Sequence, residues 1–286
     1  MGFFGNALLA GSCIAVASGL IGYFVVLRVQ VFAGDALSHV AFTGALAAAA
    51  AGLDLRVGLF VATVLVALLL GALGGRDRTG AQAGDETIGI VFVWVLGLGV
   101  LLLDAFNASS SGANATVAAR TLFGSIFSLT AAQAWLAALI GVALALALLA
   151  IARPLLLASI DAQLARIRGV PVGALGLAFL VLVGLDAAEA TQAVGALLLL
   201  GLLAAPAGAA LRLTADPYRG MALSAAIALA ATWLGLGLAD WIGTIPPGSA
   251  VILVAIAFHA AVASRDGRPI ATRLGRALEA ADTIEG

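Results

Sequence analysis

The chain has 286 residues, of which 63% are hydrophobic and 10% charged, with a mean hydropathy of +1.16. That much apolar surface exceeds what a soluble core can bury, and it is spread along nearly the whole chain, so the bilayer has to be its solvent and a soluble enzyme on a single anchoring helix is excluded. The formal net charge is −1 with every one of the fourteen basic residues an Arg, which leaves no basic excess for nucleic acid; Cys13, the only cysteine, excludes an intrachain disulfide and a cysteine-based metal cluster.

A spanning helix needs about 20 mainly apolar residues. Cutting the sequence at its charged and Gly/Pro-rich breaks predicts such segments near 8–27, 37–53, 57–75, 88–106, 131–152, 172–187, 190–205, 220–239 and 249–264. The first has no basic residue ahead of it and is followed at once by Arg28, the pattern of a retained helix rather than a cleaved signal peptide. The sixth and seventh are short and separated only by Asp186, Ala187, Ala188 and Glu189, which predicts a broken or re-entrant pair and a total of eight or nine crossings. The fold class is therefore all-α, a polytopic bundle over residues 1–264 followed by a cytoplasmic tail over 265–286.

Arginines orient the bundle, because cytoplasmic loops hold the positive charge. Arg76 and Arg78 fall in one connection, Arg153, Arg166 and Arg168 in another, Arg212 and Arg219 in a third, and Arg265, Arg268, Arg273 and Arg276 in the tail. These four belong inside. The Asn- and Ser-rich segment Asn107 to Ala119, with sequons at Asn107 and Asn114, and the loop Asp240 to Gly248 then lie outside, as does the N-terminus if there are nine crossings.

Nearly all carboxylates sit in loops or at segment ends, so those in apolar surroundings are informative. Asp35 opens Gly34-Asp35-Ala36-Leu37-Ser38-His39, after which the sequence runs apolar to Leu53. If this stretch is helical, Asp35 and His39 are four apart and stack on one face. A carboxylate within a membrane helix costs roughly 2.5–3.5 kcal/mol at its centre, so a retained one usually lines a pathway. With an imidazole beside it, it makes half a site for a borderline divalent cation such as Zn, Mn or Fe. The alternative is a helix-capping Asp35 and a His39 bonded to a backbone carbonyl. Asp186, Glu189 and Gln192 form a second polar cluster, read either as a solvated outer turn or as a vestibule attracting cations. His259 reads as a packed histidine, and Asp85 and Glu86 complement the dipole of a helix start. No Walker loop, HExxH or dinucleotide fingerprint occurs, so any ATP-driven transport needs a separate ATPase.

Four blocks in order resemble the zinc/manganese/iron permease family of ABC importers. They are Phe32 to His39, Asp85-Glu86-Thr87-Ile88-Gly89-Ile90-Val91-Phe92, Thr121-Leu122-Phe123-Gly124-Ser125, and Gln192 to Leu198 running into Leu203 to Ala210. Asp161 to Arg166, followed by Gly169-Val170-Pro171, looks like that family's cytoplasmic segment. The resemblance implies a multi-pass permease of the bacterial inner membrane, surrounded by lipid, paired with a second copy or a related chain. It further implies two cytoplasmic ATPase subunits and an extracytoplasmic metal-binding protein as partners. The cargo would be a divalent metal, zinc first and manganese next, with no permanently bound cofactor. On the same resemblance Asp35 and His39 belong to the metal path, and the segment with Leu203, Pro206, Arg212, Asp216 and Arg219 is a proline-bent cytoplasmic connection that docks on the ATPase. An ion-coupled secondary transporter is the alternative function, in which Asp35, Asp186 and Glu189 would relay ions.

Overall fold

The computed structural model describes residues 2–74, 84–108 and 121–266. Its helices are α1 (Phe3–Leu27), α2 (Val31–Ala50), α3 (Leu55–Gly74), α4 (Asp85–Ala108), α5 (Ala131–Ile160), the short α6 (Ala162–Ile167), α7 (Val172–Ala193), α8 (Leu199–Leu213), α9 (Pro217–Ile242) and α10 (Pro247–Asp266), with a 3-10 turn at Ile126–Ser128. The connection carrying Arg76 and Arg78, the segment around Asn114, and the tail from residue 267 onward, with Arg268, Arg273 and Arg276, lie outside the described residues, as do the side chains of Asn107 and Arg265.

Eight of these helices are long and apolar enough to cross a membrane. The apolar α8 has 15 residues, about 22 Å at 1.5 Å per residue, short of a hydrocarbon core of roughly 30 Å. The bundle is thus all-α and polytopic. Helix boundaries follow local chemistry. Thr130 and Gln133 form a capping box at the start of α5, the Gln133 N–H donating to Thr130 Oγ1 and the Thr130 N–H to Gln133 Oε1. Asp216 caps α9, accepting from the Tyr218 and Arg219 N–H groups, with Pro217 at the first position, and Gly243 at φ 71° ends that helix. Asp85 and Glu86 occupy the first turn of α4, where they complement its dipole.

Two predicted boundaries move. α2 begins at Val31, so Asp35 stands one turn inside it rather than at its start; the residue before the helix is Gln30, which makes no side-chain cap. α5 continues through Arg153 and Pro154 to Ile160, so Arg153 is a helical residue near the inner end rather than part of a loop.

The centre of the bundle is α1, whose small residues let neighbouring backbones approach closely. A side chain at Gly19 would meet the Ala225 backbone of α9, one at Gly22 the Leu203 carbonyl of α8, and one at Gly141 of α5 the Cys13 backbone. Ser224 Oγ of α9 donates to the Gly19 carbonyl at 2.6 Å. The helix ends sort into two faces. Arg28, bonded to Ser159 at 3.1 Å, shares one face with the α5–α6 corner, Arg212 and Arg219, the cytoplasmic face by its positive charge.

On the opposite, outer face, segments 121–125 and 192–197 lie side by side. The N–H groups of Ala196 and Leu197 donate to the carbonyls of Thr121 and Leu122, and the Ser125 N–H to the carbonyl of Gln192. Gly124 (φ 75°) and Gly195 (φ 100°) adopt left-handed backbone there, each with the other segment's backbone where a Cβ would stand. Gly248 of α10 abuts the carbonyls of Val194 and Phe123.

Candidate functional site

The stripe Asp35, His39, Phe42, Leu46 runs along one side of α2 at spacings of four, three and four. Asp35 and His39 are half-buried. The His39 ring packs edge-on against Phe92 of α4, centroids 5.3 Å apart, and Phe92 in turn against Phe32 at 5.7 Å. Neither the helix cap nor the carbonyl bond considered for this pair is formed among the described residues: Asp35 lies inside the helix, and no hydrogen bond there joins His39 to a backbone carbonyl. Both side chains therefore retain lone pairs for a ligand. Outward of His39 the stripe closes, because Phe42 and Leu46 are buried against Ala196, with Leu102, Leu103 and Leu122 around them. Among the described residues no group of three or more His, Cys, Asp or Glu could hold a metal.

The second cluster differs from its sequence reading. Asp186 and Glu189 are not in a turn between two helices. They lie inside the continuous α7, each 1% exposed. The stretch Leu185 to Ala193 contains no Gly or Pro to stop a helix, and the break falls later, at Gly195. Their charges are met by side chains far away in sequence. Ser18 Oγ of α1 donates to Asp186 Oδ1 at 3.0 Å, and Arg56 Nη2 of α3 donates to Glu189 Oε1 at 2.8 Å. Gln192, half-buried, lines an outer cleft of about 620 Å³ together with Asp54, Arg56, Thr121, Ser125 and Gln133.

The five residues expected at the cytoplasmic connection separate into two groups. Leu203 and Pro206 are buried within α8, Leu203 completely, against Gly22 and Gly34. An apolar run with a single proline remains helical here because packing compensates the lost N–H. Arg212 in the last turn of α8, Asp216 at the α9 cap and Arg219, 3.6 Å from Asp216, do lie at the inner surface. His259 of α10 bonds the Ala205 carbonyl through Nδ1 at 3.1 Å, a packed histidine.

Sequence reasoning missed Arg56 and Ser18. A signal was available for Arg56, since it is an arginine at the outer face of a protein whose other described arginines gather inside, and such an exception calls for a buried partner.

A many-helix bundle with polar groups buried between its helices and charged turns at its inner face defines a multi-pass membrane protein. The profile of the ABC 3 transport family matches residues 1–265. The manganese import system permease protein ScaB of Streptococcus parasanguinis is 30% identical over 256 residues, covering 90% of this chain and 88% of that one. The manganese transport system membrane protein MntC of Halalkalibacterium halodurans is 29% identical over 209 residues, covering 73% and 69%. Among solved structures, PsaBC from Streptococcus pneumoniae in complex with Fab superposes with a TM-score of 0.78 at 27% identity, covering 92% of this chain and 91% of that one. The chain belongs to the ABC 3 transport family, as the ordered blocks of its sequence implied. The expectation that zinc ranks before manganese does not match these relatives, whose names specify manganese.

Proposed function

We propose that the chain is the permease subunit of an ABC importer that carries manganese inward across the bacterial inner membrane, with zinc the second candidate. The observation that carries this reading is the pair Asp35 and His39, one turn apart on α2, half-buried and, among the described residues, without side-chain hydrogen bonds, in a chain whose relatives are named for manganese. An oxygen and an imidazole suit a borderline divalent ion, and neither excludes zinc. Two ligands leave the sphere of either metal incomplete, so a second copy presenting its own Asp35 and His39 would supply further ligands. The power stroke would come from two cytoplasmic ATPase subunits docked on the surface around Arg212, Asp216 and Arg219, and an extracytoplasmic binding protein would deliver the metal. The metal is cargo and not a resident cofactor.

The buried carboxylates Asp186 and Glu189 in α7 favour one rival, an ion-coupled secondary transporter, because buried acids inside membrane helices are its usual machinery. Uptake of manganese and zinc, supplied separately, into vesicles containing the chain with and without its ATPase and binding protein separates the two. The importer reading expects uptake that needs ATP and both partners, with manganese taken up faster. Uptake by the chain alone, driven by an ion gradient, would replace it with the secondary transporter.

A further inference from the structure

A line of polar links runs through the bundle, from the inner half of α9 and α1 to the outer end of α3. Ser224 of α9 holds the Gly19 carbonyl of α1, Ser18 of α1 holds Asp186 of α7, and Glu189 of α7 is held by Arg56 of α3. The last link differs from the first two. It joins the central helices to a hairpin, α2–α3, whose two helices are packed into one body. Gly44 and Gly58 face each other so closely that a side chain on either would collide with the other's carbonyl. Helix α2 of this body carries Asp35 and His39.

The link is also only partly satisfied. Glu189 Oε2, Arg56 Nε and Asp186 Oδ2 are buried without hydrogen-bond partners. Arg56 has a second carboxylate close at hand, since Asp54 accepts from the Arg56 backbone N–H at 2.7 Å and lines the same outer cleft. A part-buried ion pair with unused hydrogen-bonding groups, beside an exposed alternative partner, is suited to two arrangements rather than to one rigid one. Just beneath it lies the small cluster of Ala41, Ala45, Leu59 and Ala188, the seam where α2, α3 and α7 meet.

We propose that Arg56 and Glu189 are positioning residues for transport. Their ion pair latches the α2–α3 hairpin to α7 at the outer face, and exchange of Arg56 from Glu189 to Asp54 releases the hairpin and opens the seam. The bearing of this movement on metal transport rests on the permease reading; the movement itself does not.

The test therefore reads the seam directly. Ala45 is fully buried within it, so Ala45→Cys in a Cys13→Ser background reports its opening to a membrane-impermeant maleimide added from outside to the full chain in vesicles. The expected result is slow labelling with the pair intact, labelling about tenfold faster in Glu189→Gln, and a rate within roughly twofold of the intact chain in Arg56→Lys, which keeps the charge. In transport, Glu189→Gln should shift the manganese concentration for half-maximal uptake more than the maximal rate, and a purely structural role would not produce that split. Unchanged labelling in both Glu189→Gln and Arg56→Gln would overturn the proposal. Loss of the folded chain in both neutral variants would overturn it too, by making the pair a contact that merely holds the fold. If labelling responds as expected in a chain that imports no metal under any condition, the latch stands and the permease reading falls.

Discussion

The carbonyl of Leu203 occupies the space that a side chain on Gly22 would need. α1 and α8 touch backbone to backbone at this point, with no flexible side chain between them to give way. In lipid, where apolar contacts gain nothing from exclusion of water, such close approach is a main source of helix association. Gly22→Ala should therefore destabilise the chain by about 1–3 kcal/mol, the usual result of forcing volume into a packed seam. Thermal unfolding in detergent checks this. An unchanged midpoint would mean that α8 can slide away from α1.

Asp35→Ala and His39→Ala should each lower metal uptake by roughly tenfold or more, since removing one ligand of a site costs at least as much as disturbing the groups around it. Membrane insertion should be unaffected because both residues are only half-buried. Uptake in vesicles, normalised to the amount of inserted chain, gives the answer. Normal uptake by both variants would remove this pair from the metal path.

Gly195→Ala places a Cβ at a φ of 100° and against the backbone of Leu122 to Gly124. The backbone strain alone is about 1–3 kcal/mol, and the collision adds to it. The expected outcome is a chain that inserts but loses its outer packing, read as proteolytic cleavage within 121–125 that the parent resists. Resistance equal to the parent's would show that the segments can separate without consequence.

Thr130→Ala removes the Oγ1 that accepts from the Gln133 N–H at 3.3 Å. Loss of such a cap costs about 1 kcal/mol. Because Thr130 is exposed, the change should appear as a small drop in thermal stability with transport intact. A large loss of uptake would instead assign the start of α5 a direct part in transport.

Much of the fold was legible in the sequence because a membrane helix announces itself by length and apolarity alone. The dipole-complementing acids of α4 and the one-turn stacking of Asp35 on His39 were legible for the same reason, since each depends only on neighbours in sequence. The errors have separate causes. Asp186 and Glu189 read as a turn because carboxylates inside a bilayer are costly unless paired, and their partners Ser18 and Arg56 lie 168 and 133 positions away. Leu203 and Pro206 read as a connection because a proline suggests a break, whereas the break is made by Gly195 and by Thr214 to Asp216, on either side of α8. The start of α2 was missed because Gln30 offers no capping signal.

The contact of Gly248 with the carbonyls of Val194 and Phe123 has a bearing on biogenesis. Those carbonyls belong to the two segments that meet at the outer face, and both are synthesised well before α10. A nascent chain can insert α1 to α9 and bring the two segments together, yet their outer edge stays open until α10 inserts and Gly248 settles against it. Completion of the outer wall is thereby postponed to the final described helix. An assembly intermediate arrested before α10 should present that edge to membrane quality control, and the finished protein should hide it.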